Sequence, residues 1–192
     1  MPSPGGKGRR IRVGSMAQVM VCIVMGSAND WPIMQGAAEM LARFHIPYEV
    51  TVSSAHRAPQ RTAALAHKAA RRGVQVLIAG AGGAAHLAGV IAAETMLPVI
   101  GVPIDSSSLQ GLDALLATVQ MPQGVPVATV AIGKAGAANA GILAAQILAL
   151  QDPDLAARLR QYKAELAAGV AQADATLQAQ LQVQHDGSPA SR

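Results

Sequence analysis

The stretch VMVCIVMGSAND, residues 19–30, joins an apolar run to a loop that contains a glycine and ends in an aspartate. Because the seven residues of the run carry no charge, they predict a strand that is buried on both faces. Four similar runs follow, separated by Ala-rich segments: YEVTV (48–52), VQVLIA (74–79), PVIGV (98–102) and VATVAI (127–132). We therefore predict an α/β fold, a flavodoxin-like three-layer α/β/α sandwich with a parallel five-stranded sheet of order 2-1-3-4-5.

The segments between and after these runs predict helices. Five are expected in the sandwich, over residues 31–44, 58–72, 84–96, 112–119 and 135–150. The last of them carries no charge on any face, which indicates a subunit interface, because one small sandwich seldom buries a helix on all sides. Asp152 as N-cap and Pro153 at the first helical position predict a C-terminal helical arm. This arm either covers the core of its own subunit or docks on a neighbour.

Positive charge is concentrated at one end of the chain. Of the 15 Lys and Arg residues, four precede the first acidic residue, so that 11 basic residues face 11 acidic ones in the remainder. We expect a disordered basic N-terminal extension over residues 1–18, an α/β domain over 19–151, a C-terminal helix over 152–182 and a disordered tail over 183–192. A neutral body with few aromatic residues argues against nucleic-acid binding.

The chain has the composition of a cytoplasmic protein. Its basic N-terminal residues are not followed by the apolar region of a secretory signal. Gly, Pro and His interrupt the least charged stretch, residues 74–104, so we expect no membrane span. Cys22, the single cysteine, is expected to be a buried thiol, which fits a reducing compartment and excludes a disulfide framework.

Three loops are predicted to meet where the strand order reverses, between the first and third strands. They are MGSAND (25–30), SSAHRAP (53–59) and GAGGAAH (80–86). In the first loop, Ser27 and Asp30 either face a ligand or merely cap a helix. In the second, His56 can exchange a proton near pH 7 and Arg57 can bind a phosphate in bidentate fashion, unless His56 only hydrogen-bonds its own loop. In the third, His86 either lines the site or caps the third helix.

Other sites fit the sequence less well. GAGGAA resembles a dinucleotide fingerprint only loosely, and too little chain follows it for a second nucleotide-binding half. No HxE or CxxC pattern occurs and the acidic residues are sparse, so we expect no metal. A flavodoxin-like FMN carrier is an alternative of a different class, although a flavin site usually needs aromatic stacking and the chain has only four aromatic residues, Trp31, Phe44, Tyr48 and Tyr162.

Taken together, the loops resemble a known family. MGSAND, SAHRAP, AGAGGAAHLAG, LPVIGVPIDSSSLQGLDALL and VQMPQGVPVATVAIGKAGAANAGILAAQIL resemble, in order, the motifs of the 5-(carboxyamino)imidazole ribonucleotide mutase (PurE) family of purine biosynthesis. The resemblance runs from residue 19 to residue 150. It implies an isomerase that moves a carboxyl group from the exocyclic nitrogen of a small ribonucleotide to ring carbon four, without metal, ATP or organic cofactor. It also implies a homo-octamer.

The AHLAG and VQMP motifs are more similar to the bacterial mutase branch than to the branch that carboxylates aminoimidazole ribonucleotide directly, which remains the alternative. The resemblance implies that His56 is the catalytic acid and base. It implies that seven further residues bind substrate or line the pocket: Ser27, Asp30, Arg57, Ser54, Gly82, His86 and Leu87. The chain departs from the family pattern at Asn29, Ala58 and Ala88, where Ser, Thr and Pro are usual.

Overall fold

The computed structural model describes residues 11–13 and 18–186 of the chain. They divide into two compact units, the first ending at Leu148 and the second beginning at Ala149.

The first unit is built on a six-stranded sheet. Its strands are β1 (Ile11–Val13), β2 (Val21–Met25), β3 (Tyr48–Val52), β4 (Val76–Gly82), β5 (Val99–Ile104) and β6 (Ala128–Thr129). The order is β1-β3-β2-β4-β5-β6, and all neighbours pair in parallel except β1 with β3. The five parallel strands have the predicted order 2-1-3-4-5, so the predicted sheet and fold class are confirmed.

Strand β1 differs from the disordered N-terminal extension expected over residues 1–18. Residues 11–13 pair with β3 in antiparallel register, with Arg12 opposite Glu49. The remainder of that prediction, residues 1–10 and 14–17, lies outside the described residues. A three-residue strand that contains an arginine has no apolar run from which the sequence could predict it.

Five helices cover the sheet. They are α1 (Trp31–Arg43), α2 (Pro59–Ala69), α3 (Leu87–Ala93), α4 (Leu112–Val119) and α5 (Gly133–Leu148), and a 3-10 turn at Ala70–Arg72 extends α2. Helix α3 is shorter than the predicted 84–96. It begins at Leu87, because residues 83–86 form a bend after β4, in which Gly83 has a φ of +58° in the left-handed region. The residues between Gly83 and α3 are thus left as a loop at the edge of the sheet.

Small residues let helix α5, in which Lys134 is the one charged residue, pack closely on α1. A Cβ at Gly141 would lie 2.7 Å from the carbonyl oxygen of Ala37, and one at Gly36 would lie 3.3 Å from that of Lys134. Eight residues of α5 are buried within this chain: Gly133, Gly136, Ala137, Ala140, Gly141, Ala144, Ala145 and Leu148. Much of the apolar surface from which a subunit interface was predicted is therefore covered within the chain itself.

Two charged residues are buried among those that the structure describes, Asp30 at the edge of the sheet and Glu49 in the core. Glu49 in β3 is fully buried and accepts a hydrogen bond from Nη1 of Arg72, which closes the 3-10 turn after α2. Cys22 pairs with Glu49 across the sheet and is a buried free thiol, as predicted. Burial raises the pKa of the Cys22 thiol, and the neighbouring Glu49 raises it further. The thiol is therefore protonated at neutral pH.

The second unit contains helix α6 (Pro153–Asp186). Asp152 Oδ1 accepts a hydrogen bond from the backbone N–H of Leu155 at 2.9 Å, which is the predicted N-cap. The helix continues past the expected end at residue 182, and the last six residues of the expected disordered tail lie outside the described residues. None of the helices described here has both the length and the apolar character that a membrane span requires.

Candidate active site

A cavity of about 360 Å³ lies at the carboxyl ends of β2, β3 and β4. The three loops predicted to meet at this edge all contribute to its wall. The structure brings together all eight residues predicted for the site: Ser27, Asp30, Ser54, His56, Arg57, Gly82, His86 and Leu87. Their individual roles stay predictions, whereas their convergence on one cavity is a property of the fold.

The loop after β2 is held by a capping box. The backbone N–H of Ser27 donates to Asp30 Oδ2 at 2.9 Å, and that of Asn29 donates to Ser27 Oγ at 3.2 Å. The sequence left open whether Ser27 and Asp30 cap a helix or face a ligand. In the structure both side chains take part in the cap, and both residues line the cavity. Burial raises the pKa of Asp30, an effect that the Ser27 N–H and the charge of Arg57 partly oppose.

The two histidines of the site contact each other. His56 Nε2 lies 2.8 Å from His86 Nδ1, and the rings meet edge to face, with an interplanar angle of 86°. His86 makes no side-chain capping bond to α3, although it stands at the N-cap position. His86 therefore lines the cavity and makes no side-chain cap to α3, and the hydrogen-bond partner of His56 belongs to another loop.

Arg57 links two loops of the site. Its Nη2 donates to the carbonyl oxygen of Gly26 at 3.2 Å, and its Nε donates to Ser54 Oγ at 3.4 Å. Ser54 Oγ also accepts the backbone N–H of Arg57 at 3.2 Å. Because guanidinium carries five N–H donors, these contacts orient the Arg57 side chain and leave donors for an anionic ligand.

Small residues form another wall of the cavity. Ala55, Ala81, Gly82 and Ala84 line it. A Cβ at Gly82 would collide with Ser106 Oγ, so glycine is needed there for close approach. Ser106 was missed by the sequence reading. It follows β5 at the same edge, which is a usable signal, but nothing in the run of three serines, residues 106–108, indicates which one faces the cavity.

The residues that line the cavity can be compared with those that a flavin site or a metal site needs. None of the four Trp, Tyr and Phe residues of the chain lines the cavity, so the large aromatic side chain on which a flavin usually stacks is not part of this wall. Within residues 11–13 and 18–186, no three His, Cys, Asp or Glu side chains are grouped so that they could hold a metal ion.

Comparison with known proteins agrees with this architecture. The family model described as AIR carboxylase matches residues 20–169. The chain belongs to the AIR carboxylase family. The N5-carboxyaminoimidazole ribonucleotide mutase of Mycobacterium tuberculosis (strain H37Rv) is 54% identical to this family member over 171 residues, which are 89% of this chain and 92% of the relative. The Escherichia coli K12 mutase is 56% identical over 143 residues, covering 74% and 85% of the two chains.

A solved structure of the family has the same fold. The crystal structure of Treponema denticola PurE matches this AIR carboxylase family member with a TM-score of 0.74 at 28% identity, covering 82% of this chain and 98% of that one. The resemblance predicted from the loop motifs is confirmed. The matched residues 20–169 include β2 to β6 and every residue that lines the cavity, whereas the last part of α6 lies beyond them.

Proposed function

We propose that this chain is an isomerase of de novo purine biosynthesis that converts 5-(carboxyamino)imidazole ribonucleotide into 4-carboxy-5-aminoimidazole ribonucleotide. The observation that carries the proposal is the convergence of His56, Arg57 and Asp30 on one cavity. They supply a proton-transfer group, an anion ligand and a hydroxyl acceptor, which are the groups that a ribonucleotide substrate requires. Relatives that are 54–57% identical bear the mutase name, which supports the same reaction here.

The site residues suit the parts of this substrate. Arg57, with donors left after its contacts to Gly26 and Ser54, binds the phosphate, and the hydroxyl of Ser27 assists. The carboxylate of Asp30 accepts hydrogen bonds from the ribose hydroxyls. The imidazole base then lies against the wall of small residues, beside His56.

The reaction follows from these positions. The carbamate C–N bond breaks, CO2 departs, and His56 donates a proton to the nitrogen that receives the electron pair. The wall of Ala and Gly keeps CO2 beside the electron-rich ring, so that ring carbon four attacks it and a C–C bond forms. His56 then removes the proton from carbon four and is restored. One group serves as acid and as base, with no net proton change.

The enzyme is further proposed to work in the cytoplasm as a homo-oligomer, an octamer. Association is supported by an apolar surface on and beside α4, which is exposed to solvent in the single chain. Four large apolar residues there are about half exposed or more: Leu109, Leu112, Leu116 and Val119. A contiguous exposed patch of this kind is typical of a protein interface.

The experiment is a product assay by absorbance with two substrates. If the carboxyamino ribonucleotide is converted fast and aminoimidazole ribonucleotide with bicarbonate is not, the chain is established as a mutase. Efficient use of aminoimidazole ribonucleotide with low bicarbonate instead assigns the chain to direct carboxylation, and no conversion of either overturns the proposal. His56→Asn is expected to lose turnover while keeping nucleotide affinity within about threefold, because it removes the proton donor and retains a polar side chain. Retained turnover contradicts the role of His56.

A further inference from the structure

A second cleft adjoins the active-site cavity at Arg57. Its volume is about 300 Å³. We call the cavity beside His56 the first lobe and this cleft the second lobe. Four residues line both lobes, so they are two parts of one site: Gly26, Ser27, Ser54 and Arg57. The second lobe adds Ala28, Val52, Ser53, Ala58 and Arg61.

The lobes differ in charge. The first is lined by the carboxylate of Asp30 and by His56 and His86 in addition to Arg57. The second is lined by two arginines, Arg57 and Arg61, and by no acidic residue. A phosphate dianion is repelled by a carboxylate and attracted by paired guanidinium groups, so the second lobe is the favourable place for it.

Arg61 is available for such a ligand. It lies in the first turn of α2 and is exposed, and its side chain has no hydrogen-bond or ion-pair partner among the described residues. Ser53, which lies deeper in this lobe, is already engaged, because its Oγ lies 2.8 Å from Thr62 Oγ1. The charged donors that remain for an anion are therefore those of Arg61 and the unused ones of Arg57.

We propose that Arg61 is a second ligand of the substrate phosphate, which occupies the second lobe between Arg57 and Arg61. The proposal rests on the proposed function, and it adds a residue that determines specificity for a phosphorylated ribose. With the phosphate in this lobe, the ribose lies near Asp30 and the base extends into the first lobe toward His56. The separation of charge between the lobes thus sets the direction in which the nucleotide binds.

The test compares a phosphorylated and a non-phosphorylated ligand. Binding of ribose 5-phosphate and of ribose is measured by NMR titration for the wild type, Arg61→Ala and Arg61→Lys. Lys68→Ala is the matched control, because Lys68 is an exposed cation on the same helix and lines neither lobe. Arg61→Ala is expected to raise the Kd for ribose 5-phosphate about tenfold, Arg61→Lys less, and Lys68→Ala not at all. The proposal is overturned if Arg61→Ala leaves the Kd for ribose 5-phosphate unchanged, or if it raises the Kd for ribose by the same factor.

Kinetics separate this proposal from the reaction on which it rests. The KM of the carboxyamino ribonucleotide is expected to rise about tenfold in Arg61→Ala with kcat within twofold, because the phosphate is bound equally in substrate and transition state. A wild type that converts substrate, together with unchanged binding by Arg61→Ala, overturns the Arg61 role and leaves the function standing. A wild type without turnover whose ribose 5-phosphate affinity falls in Arg61→Ala supports the phosphate site and overturns the reaction.

Discussion

His56 and His86 come from loops that follow different strands, and a hydrogen bond of 2.8 Å joins Nε2 of the first to Nδ1 of the second. A single proton serves this bond, so one nitrogen donates it and the other accepts it. His86 therefore influences both the ring orientation of His56 and which of its nitrogens carries a proton. The two rings are therefore a hydrogen-bonded pair, in which a change to one side chain affects the other.

We expect His86→Ala to lower kcat roughly 10- to 100-fold, because His56 loses the partner that orients its ring. Nucleotide Kd is expected to stay within about threefold, and stability is expected to be unaffected because His86 makes no capping bond to α3. Single-turnover rates and binding titrations measure the two quantities separately. His67→Ala is the control, since His67 is an exposed histidine on α2 that pairs with Glu94 and lies outside the site. A parallel loss of kcat and affinity in His86→Ala would contradict the positioning role.

The carboxylate of Asp30 is expected to lower the stability of the fold and to strengthen nucleotide binding. Burial raises its pKa, so ionisation is less favourable in the folded chain than in the unfolded one, and the charged form destabilises the fold at neutral pH. Asp30→Asn keeps an oxygen that can accept the Ser27 N–H. We expect it to raise Tm by about 1–3 °C at pH 7 and to weaken nucleotide binding about tenfold.

The pH dependence gives the control for Asp30. As the pH falls through the raised pKa of the folded state, the wild-type carboxyl is protonated and the penalty for the buried charge disappears. The Tm difference between Asp30→Asn and wild type should therefore shrink as the pH is lowered from 7 toward 4. A difference that grows on acidification would show that the carboxylate stabilises the fold through its hydrogen bond.

The sequence was sufficient to predict the meeting of three loops, because parallel strands place their carboxyl ends at one edge whatever their side chains are. Ser27, His56 and His86 could be placed at the site in this way. The contact between the two histidines could not be predicted, since it depends on the conformations of two loops and not on the strand order. The second lobe was also missed, because Arg61 reads as an ordinary exposed residue in the first turn of a helix.

Gly82 is expected to be essential for the shape of the cavity. A Cβ there would collide with Ser106 Oγ and lie 3.1 Å from the carbonyl oxygen of Ile104. We expect Gly82→Ala to lower kcat/KM at least tenfold, because Ser106 or the strand must move into the space of the substrate. Combining it with Ser106→Gly should restore most of the loss in the same assay. A double variant as impaired as the single one would show that the backbone of β4, and not Ser106, is displaced.

The buried pair of Glu49 and Arg72 predicts a large effect on stability. Arg72→Met removes the guanidinium that donates to a fully buried carboxylate, and we expect the free energy of unfolding to fall by about 3 kcal/mol in urea titrations. Arg71→Met is the control, since Arg71 is the exposed neighbour and its loss should change stability by less than about 0.5 kcal/mol.

Cys22 supplies an independent measurement of the same loss. Because the thiol is buried and its pKa is raised, it should react with a thiol reagent only when the sheet opens. Arg72→Met is therefore expected to speed labelling of Cys22 about 10- to 100-fold, and Glu49→Gln in the same chain should slow it again by removing the buried charge. If Cys22 is labelled equally slowly in wild type and Arg72→Met, the fold tolerates the buried Glu49 carboxylate without the hydrogen bond from Arg72.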